Sequence, residues 1–127
     1  MARILALLVL LATATRPGAA RGAEPVAGNC NRPATGTCDE WTGVSWTAPK
    51  MERLCASQKG SFAPGGCPVE GRLGACLRGK GRNDESRLVY YAAFPGYGVK
   101  LTPAAVVTQG EDQCTRLMKG IWTRTPP

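Results

Sequence analysis

The spacing of apolar and polar residues predicts a short helix around Cys55. In the segment TAPKMERLCASQKG, one face of an α-helix is indicated by the recurrence of Met51, Leu54, Cys55 and Gln58 at positions i, i+3, i+4 and i+7. Thr47 is a suitable N-cap for this helix, and Gly60 stands where a terminal glycine is common. The pattern therefore predicts a helix with Cys55 on its inner face.

A second segment repeats this plan near the end of the chain. In TPAAVVTQGEDQCTRLMKG, Thr102 is the candidate N-cap, Pro103 fits the first turn and Gly120 stands at the end. Gly110 interrupts the pattern and costs about 1 kcal/mol relative to alanine, so the helix is a candidate for a break there. The apolar stripe of this helix consists of Val107, Cys114, Leu117 and Met118.

The clearest strand pattern is SRLVYYAAF, from Ser86 to Phe94, which is rich in β-branched and aromatic residues. It follows the segment GRLGACLRG and a glycine-containing loop. We therefore expect a hairpin of about 72–78 with 87–93. In its first arm the leucines and Cys76 alternate, so they are expected on opposite faces.

The cysteine spacing suggests two related halves, at 30–62 and 67–122. The intervals between cysteines are seven and sixteen residues in the first half, against eight and thirty-seven in the second. In both halves the helix is followed by a glycine and then an aromatic residue, in Gly60-Ser61-Phe62 and Gly120-Ile121-Trp122. The predicted fold is a small, disulfide-stapled α+β domain with a β-hairpin and two short helices.

The beginning of the chain has the pattern of a secretory signal peptide. Arg3 precedes the apolar run Ile4 to Leu11, and small residues follow up to Ala20, with Ala23 as a second candidate cleavage position. No segment approaches the ~20 apolar residues of a membrane span. The predicted organisation is a signal peptide at 1–20, a flexible N-terminal segment at 21–29, a disulfide-rich domain at 30–123 and a tail at 124–127.

Six cysteines in an exported chain predict three disulfides. Fifteen pairings exist for six cysteines, and three cysteines in each half require at least one bond between the halves. The repeat favours bonds that tie a strand to the helix after it. The predicted pairs are Cys38–Cys55, Cys76–Cys114 and Cys30–Cys67.

The chain is basic, with a formal net charge of +7, of which Arg3 and Arg16 leave with the signal peptide. The local concentration of positive charge is RGKGR, which contains Arg78, Lys80 and Arg82 and precedes two acids. A solvated turn is the simplest interpretation of this segment. A basic exported protein also favours a protein partner or an anionic surface, without specific nucleic-acid recognition.

The residue types for common catalytic chemistry are sparse. The chain has no histidine, and therefore lacks the commonest general base and a frequent zinc ligand. The acidic pairs Asp39-Glu40, Asp84-Glu85 and Glu111-Asp112 are expected at loops or helix starts, where solvated carboxylates are common. We therefore predict no catalytic residue, no metal site and no cofactor.

The segment YYAAFPGYG, from Tyr90 to Gly98, offers a candidate aromatic surface. Tyr90 and Tyr91 are expected in the core. Phe94 and Tyr97 lie beside a Pro-Gly turn, and the sequence is compatible with either a core or a surface position for them. The candidate binding residues are Phe94, Tyr97, Arg78, Lys80 and Arg82. Trp41, Trp46 and Trp122 are expected to pack in the core or at its edge.

The motifs GGCP, GACL, YYAAF and C…KGIW, with their spacing, resemble small Cys-rich exported proteins of GC-rich Gram-negative bacteria that have no assigned activity. The resemblance covers about residues 30–123 and implies an exported disulfide-bonded domain, without indicating functional residues. We expect a secreted or periplasmic binding or structural module. The alternatives are a small carboxylate-dependent hydrolase, and an exported toxin or inhibitor that uses a protruding loop such as 94–98.

Overall fold

A computed structural model describes residues 25–96 and 99–125. The signal peptide predicted at 1–20 lies outside these residues. The helices and strands of the described part are β1 (Gly28–Arg32), β2 (Thr37–Trp41), α1 (Ala48–Ser57), β3 (Ser61–Pro64), β4 (Arg72–Arg78), β5 (Ser86–Tyr91), β6 (Pro95–Gly96), β7 (Val99–Lys100), α2 (Pro103–Asp112) and β8 (Ile121–Arg124).

Six strands form one antiparallel sheet in the order β3-β1-β2-β5-β4-β8, and β6 and β7 form a separate small ribbon. The predicted α+β class with two helices is confirmed, and the predicted hairpin is β4 with β5. Gly28 and Asn29 belong to β1 and Arg124 belongs to β8, so the folded part is slightly wider than the predicted 30–123. No helix in the described part is long and apolar enough to cross a membrane.

The two halves place their elements in the same way. Each half contributes three strands and one helix to the main fold, in the chain order strand, strand, helix, strand. Counted inward from either edge of the sheet, the order is the third, the first and then the second strand of a half. Asp39 and Leu88 lie opposite each other at the centre, where β2 meets β5. The corresponding positions, read from the strand register, are Cys30 and Cys76, Arg32 and Arg78, Asp39 and Leu88, Trp41 and Tyr90, and Phe62 and Trp122.

Two of the three predicted disulfide pairs are wrong. The bonds are Cys30–Cys55, Cys38–Cys67 and Cys76–Cys114, so only the last was predicted. Side chains alternate between the faces of a strand, and Cys30 lies opposite Asp39 rather than Cys38. Cys38 therefore points away from α1 and bonds Cys67. The predicted second half, 67–122, is wrong at its start, because Cys30 corresponds to Cys76 and Cys67 lies before β4, in the linker between the halves.

The glycine after each helix is required by the disulfide beside it. A Cβ at Gly60 would lie 2.9 Å from the Cys55 sulfur, and one at Gly120 would lie 2.5 Å from the Cys76 sulfur. The left-handed residues that end the helices are instead Lys59 and Lys119, with φ of 56° and 55°. In each Lys-Gly pair, the lysine therefore ends the helix and the glycine leaves room for the disulfide.

The second helix is not broken at Gly110. The α-helical part runs through it to Asp112 and continues as one π-helical turn at Gln113–Leu117. Five residues lead from Cys55 to Gly60, whereas six lead from Cys114 to Gly120. The wider turn accommodates this additional residue, which is the usual origin of a π-bulge.

Gly110 allows the ring of Trp122 to pack closely against the helix. A Cβ at this glycine would lie 2.7 Å from Cη2 of that ring. Phe62, the smaller aromatic residue at the corresponding position, packs with Met51 in the cluster of the first half. The absence of a side chain at Gly110 therefore makes room for the larger ring of Trp122.

Candidate ligand-binding cleft

Asp39 and Glu40 are buried on β2, in the middle of the sheet, with 3% and 1% of their surfaces exposed. The prediction of solvated acids at loops or helix starts is wrong for this pair. Adjacent residues of a strand point to opposite faces, so the two carboxylates lie in different environments. Buried carboxylates need partners, and both faces supply arginines.

Glu40 fixes the linker to the face of the sheet that lies away from the helices. Its Oε1 accepts hydrogen bonds from Arg72 at 2.6 Å and from the backbone N–H of Cys67 at 3.0 Å, and its Oε2 accepts from Arg87 at 3.1 Å. The Cys38–Cys67 disulfide holds the same part of the linker. These contacts have a structural role.

Asp39 lies on the helical face between two arginines. Arg32 donates to its Oδ2 at 2.7 Å and Arg78 donates to its Oδ1 at 2.5 Å. These arginines occupy corresponding positions of the two halves, two residues after Cys30 and Cys76 respectively. One buried carboxylate therefore joins the halves, and the cluster of Asp39, Arg32 and Arg78 has a formal net charge of +1.

A cleft of about 330 Å³ opens beside this cluster, and we call it the Asp39 cleft. Its walls are α1 with the residue that follows it on one side, and the β4–β5 turn on the other. Its floor belongs to β2 and β5. The lining residues are Asp39, Trp41, Trp46, Leu54, Gln58, Arg78, Gly79, Arg82, Asp84 and Ser86.

Two buried polar atoms of cleft-lining residues lack a hydrogen-bond partner within the described part of the chain. They are the Nε–H donor of Arg78 and the Oε1 acceptor of Gln58. The Nε–H donor of Arg32, on the other side of Asp39, also lacks a hydrogen-bond partner among the described residues. Ser45 Oγ and Trp122 Nε1 also lack a partner among the described residues, although neither residue lines the cleft. Unpaired buried polar groups lower stability, so these positions carry a cost in folding free energy.

The corresponding region of the second half is apolar. Leu88 stands where the first half has Asp39, and Met118 precedes the Lys-Gly pair where the first half has Gln58. Leu88, Phe94 and Met118 belong to one hydrophobic cluster. One architecture therefore carries a packed apolar cluster in one half and an open polar cleft in the other.

Aromatic rings form one side of the Asp39 cleft. Trp46 lies 5.5 Å from Trp41, donates its indole N–H to the carbonyl of Glu85 at 2.9 Å and has the Lys50 ammonium 4.3 Å from its ring centroid. Phe94 and Tyr90 form the matching pair in the second half, 5.2 Å apart. Trp46 is thus held in a fixed orientation at the cleft.

The predicted binding residues are only partly brought together. Arg78 and Arg82 line the Asp39 cleft, whereas Lys80 is exposed on the turn. Phe94 packs against Tyr90 in the core, and Tyr97 lies outside the described residues. Of the loop 94–98, the first residue is engaged in packing, and residues 97–98 lie outside the described part.

Sequence reasoning missed Asp39 and Gln58. The segment TCDEW gave no usable signal for Asp39, because Asp and Glu are depleted in strands and the pair was therefore expected in a loop. Gln58 was seen only as a member of the helical stripe. Its partnerless Oε1 became apparent from the packing alone.

Titratable groups near the sheet reflect their surroundings. Burial raises the pKa of Tyr90 to about 12, and this side chain is fully buried. At the β4–β5 turn, the backbone N–H of Gly81 and then the hydroxyl of Thr42 lower the pKa of Glu85. Glu85 therefore remains ionised and stabilises the turn beside the cleft.

Within the described ranges, no group of three or more metal-ligating side chains is present. No protein-family model, curated protein or solved structure matches this chain.

Proposed function

We propose that this protein is an exported, non-catalytic binding module whose ligand site is the Asp39 cleft. The observation that carries the proposal is the contrast between this open polar cleft and the packed apolar cluster at the corresponding place of the second half. At the position that corresponds to Gln58, the second half has Met118, so the fold does not require a polar residue there. A polar residue that lowers stability without a structural need is characteristic of a functional site.

Export is supported by the cysteines and by the beginning of the chain. All six cysteines are disulfide-bonded and at most 3% exposed. Such bonds persist in oxidising compartments, and the apolar run after Arg3 has the pattern of a signal peptide. Both support a secreted or periplasmic location.

The two halves are best explained as copies of one β-β-α-β unit. Equivalent bonds, Cys30–Cys55 and Cys76–Cys114, tie the first strand of each half to its helix, and each helix is followed by the Lys-Gly pair. On this proposal, the second copy filled its cleft with Phe94 and neighbouring residues. The first copy kept an open cleft and acquired polar residues.

A carboxylate-dependent hydrolase is the second candidate, because Asp39 and Asp84 both line the cleft. However, both oxygens of Asp39 accept from arginines, and both oxygens of Asp84 accept from Arg82 at 3.0 and 3.2 Å. A general acid or base needs an oxygen free to exchange a proton with the substrate. The arrangement therefore supports binding better than hydrolysis.

The first test is an NMR titration of ¹⁵N-labelled oxidised protein with a set of small carboxylates, sulfate, sugars and amines. We expect a subset to shift the side-chain N–H signals of Gln58, Arg78 and Trp46. The signals of Gln113 and Trp122, which do not line the cleft, serve as internal controls. A set that shifts none of the cleft signals would contradict the proposal.

The second test is the substitution Gln58→Met, which introduces the residue found at the corresponding position of the second half. Removing a buried unpaired acceptor should raise the free energy of unfolding by about 1 kcal/mol, while ligand affinity falls roughly tenfold. Gln109→Met, on α2, is the matched control and should leave affinity unchanged. Unaltered affinity in Gln58→Met would remove this residue from the site.

A further inference from the structure

The two edges of the six-stranded sheet, β3 and β8, differ in the backbone groups that they present to solvent. Beside β8, the N–H of Thr125 donates to the carbonyl of Leu73, its partner when the register with β4 is continued. Backbone groups alternate in direction along a strand, so those of Thr123 also point towards β4. The N–H and C=O groups of Trp122 and Arg124 therefore point outward, where no strand of the described part pairs with them.

The edge strand β3 has a proline at one of its outward positions. The N–H of Tyr91 donates to the carbonyl of Gly36, which shows which pairs between β2 and β5 are hydrogen-bonded. This alternation, continued across β1, directs the backbone of Phe62 and Pro64 away from the sheet. Pro64 corresponds to Arg124 in the register and has no N–H to offer a further strand. The first half therefore closes its edge, whereas the second half leaves its edge open.

Exposed apolar residues accompany the open edge. Leu117 ends the π-helical turn before β8 and is 69% exposed, and Ile121 begins β8 and is 49% exposed. Counted from the Lys-Gly pair, the first half has Ser57 and Ser61 at these positions. Apolar side chains beside an unpaired sheet edge favour association with another strand. The two edges therefore differ in side chains as well as in backbone groups.

From these differences we infer that β8 is an association surface, at which a second copy of this chain adds its own β8 in antiparallel orientation. When Thr123 of both copies lies at the two-fold axis, Trp122 lies opposite the partner's Arg124. The outward groups of these residues then exchange both of their backbone hydrogen bonds, on each side of the axis. The two sheets join into one continuous sheet. This inference is independent of the Asp39 cleft.

The side chains of β8 suit a second copy as the partner. In this register Ile121 lies opposite the partner's Thr125, and aromatic and β-branched side chains such as those of β8 stabilise adjacent strands. Arg124 faces the partner's Trp122 and not a like charge, and it forms an ion pair with Glu111 at 3.1 Å. A two-fold axis satisfies the same groups on both copies at once. Because β8 is short, the dimer is expected to be weak, with a dissociation constant between micromolar and millimolar.

The direct test is the concentration dependence of the oxidised protein. Sedimentation equilibrium from about 10 µM to about 1 mM should show monomers that associate into dimers in the upper part of this range. In ¹⁵N-labelled protein, the backbone N–H groups of Trp122 and Arg124 should shift and exchange more slowly with solvent as the concentration rises. The backbone N–H of Phe62, at the corresponding position of the closed edge, is the internal control and should remain unchanged.

A proline substitution tests the backbone of the open edge. Arg124→Pro introduces the residue that the closed edge has, and it removes an outward N–H on each side of the axis. The dissociation constant of the dimer should rise by at least about tenfold. Arg124→Ala is the matched control, because it loses the same ion pair with Glu111 but keeps the N–H. It should remain within about threefold of the wild type.

A serine substitution tests the apolar contact without altering the backbone. Ile121→Ser introduces the residue found at Ser61 and should weaken the dimer roughly tenfold. Val69→Ser, in the linker, removes an apolar side chain that is 79% exposed and should leave the dimer unchanged. If Arg124→Pro does not form its three disulfides, this second pair of variants decides the matter.

The results that would overturn the inference are distinct. One is a monomer throughout the concentration range, and another is a dimer that neither Arg124→Pro nor Ile121→Ser weakens. Concentration-dependent changes at Phe62 in place of Trp122 would assign the contact to the other edge and would also overturn it. None of these results bears on the Asp39 cleft, so the proposed ligand site is tested separately.

Discussion

Asp39 and Glu40 are adjacent carboxylates with different roles, because successive side chains of a strand point to opposite faces of the sheet. Glu40 secures the linker through Arg72 and the Cys67 N–H, whereas Asp39 neutralises two arginines beside an open cleft. The acidic pair Asp84-Glu85 differs again: Asp84 is exposed at the turn, whereas the half-buried Glu85 accepts hydrogen bonds from Thr42 and the Gly81 N–H. Residue type alone therefore says little about the role of a carboxylate in this molecule.

Substitution Asp39→Asn tests the importance of the buried carboxylate. It should lower the free energy of unfolding by about 3–5 kcal/mol, because two arginines lose their counter-charge in a buried place. Asp84→Asn removes an equivalent charge from an exposed pair and should cost no more than about 1 kcal/mol. Urea unfolding at pH 7 compares the two, and similar losses would contradict this assignment.

At the scale of elements, the two helices show how one unit tolerates a change of length. The connection from helix to strand is one residue longer in the second half, and the π-helical turn accommodates it while Gly120 stays beside the Cys76–Cys114 bond. Leu117 within this turn is 69% exposed. The disulfide and the following glycine are thus the fixed points, and the turn between them adapts.

Deletion of Leu117 should therefore be tolerated. It restores the five-residue spacing of the first half, removes little buried surface and lets the turn become α-helical. We expect a folded protein with three disulfides and a change in stability of about 1 kcal/mol or less. Deletion of Ser57 shortens the corresponding spacing in α1 below that of either half and should prevent formation of Cys30–Cys55. Disulfide mapping and thermal melting of both variants test this expectation.

At the scale of the whole molecule, covalent bonds compensate for a small core. The buried apolar residues other than cysteine are few, namely Trp41, Met51, Leu88, Val89, Tyr90 and Val106 among the described residues. Each disulfide closes a long segment, with separations of 25, 29 and 38 residues. Crosslinks of this span typically stabilise a domain by about 2–4 kcal/mol each, mainly by restricting the unfolded chain.

Loss of the disulfides should consequently remove most of the stability. Protein reduced in urea and returned to buffer with reductant should lose roughly 6 kcal/mol or more, out of the ~5–15 kcal/mol typical of a domain. Circular dichroism melting of the oxidised and reduced forms measures the difference. Equal melting temperatures would show that packing alone maintains the fold.

Local features of the fold could be predicted from the sequence because their causes are local. Helix spacing, N-cap threonines and the run SRLVYY predicted α1, the start of α2 and the β4–β5 hairpin, and six cysteines predicted three disulfides. The partners of Cys30 and Cys38 could not be predicted in this way. They depend on which face of β1 and β2 meets α1, and therefore on a strand order set by contacts distant in sequence.

The sequence by itself determined the class of the fold, its cysteine count, its basic charge and the positions of the two helices and of the β4–β5 hairpin. Only the tertiary structure decided that β2 is central, which buries Asp39 and Glu40 on opposite faces. It also decided that Arg32 and Arg78, far apart in the chain, meet at one carboxylate, and that Gln58 lines the resulting cleft. The physical reason is that helix and turn preferences act between near neighbours, whereas burial and charge pairing depend on which strands become adjacent.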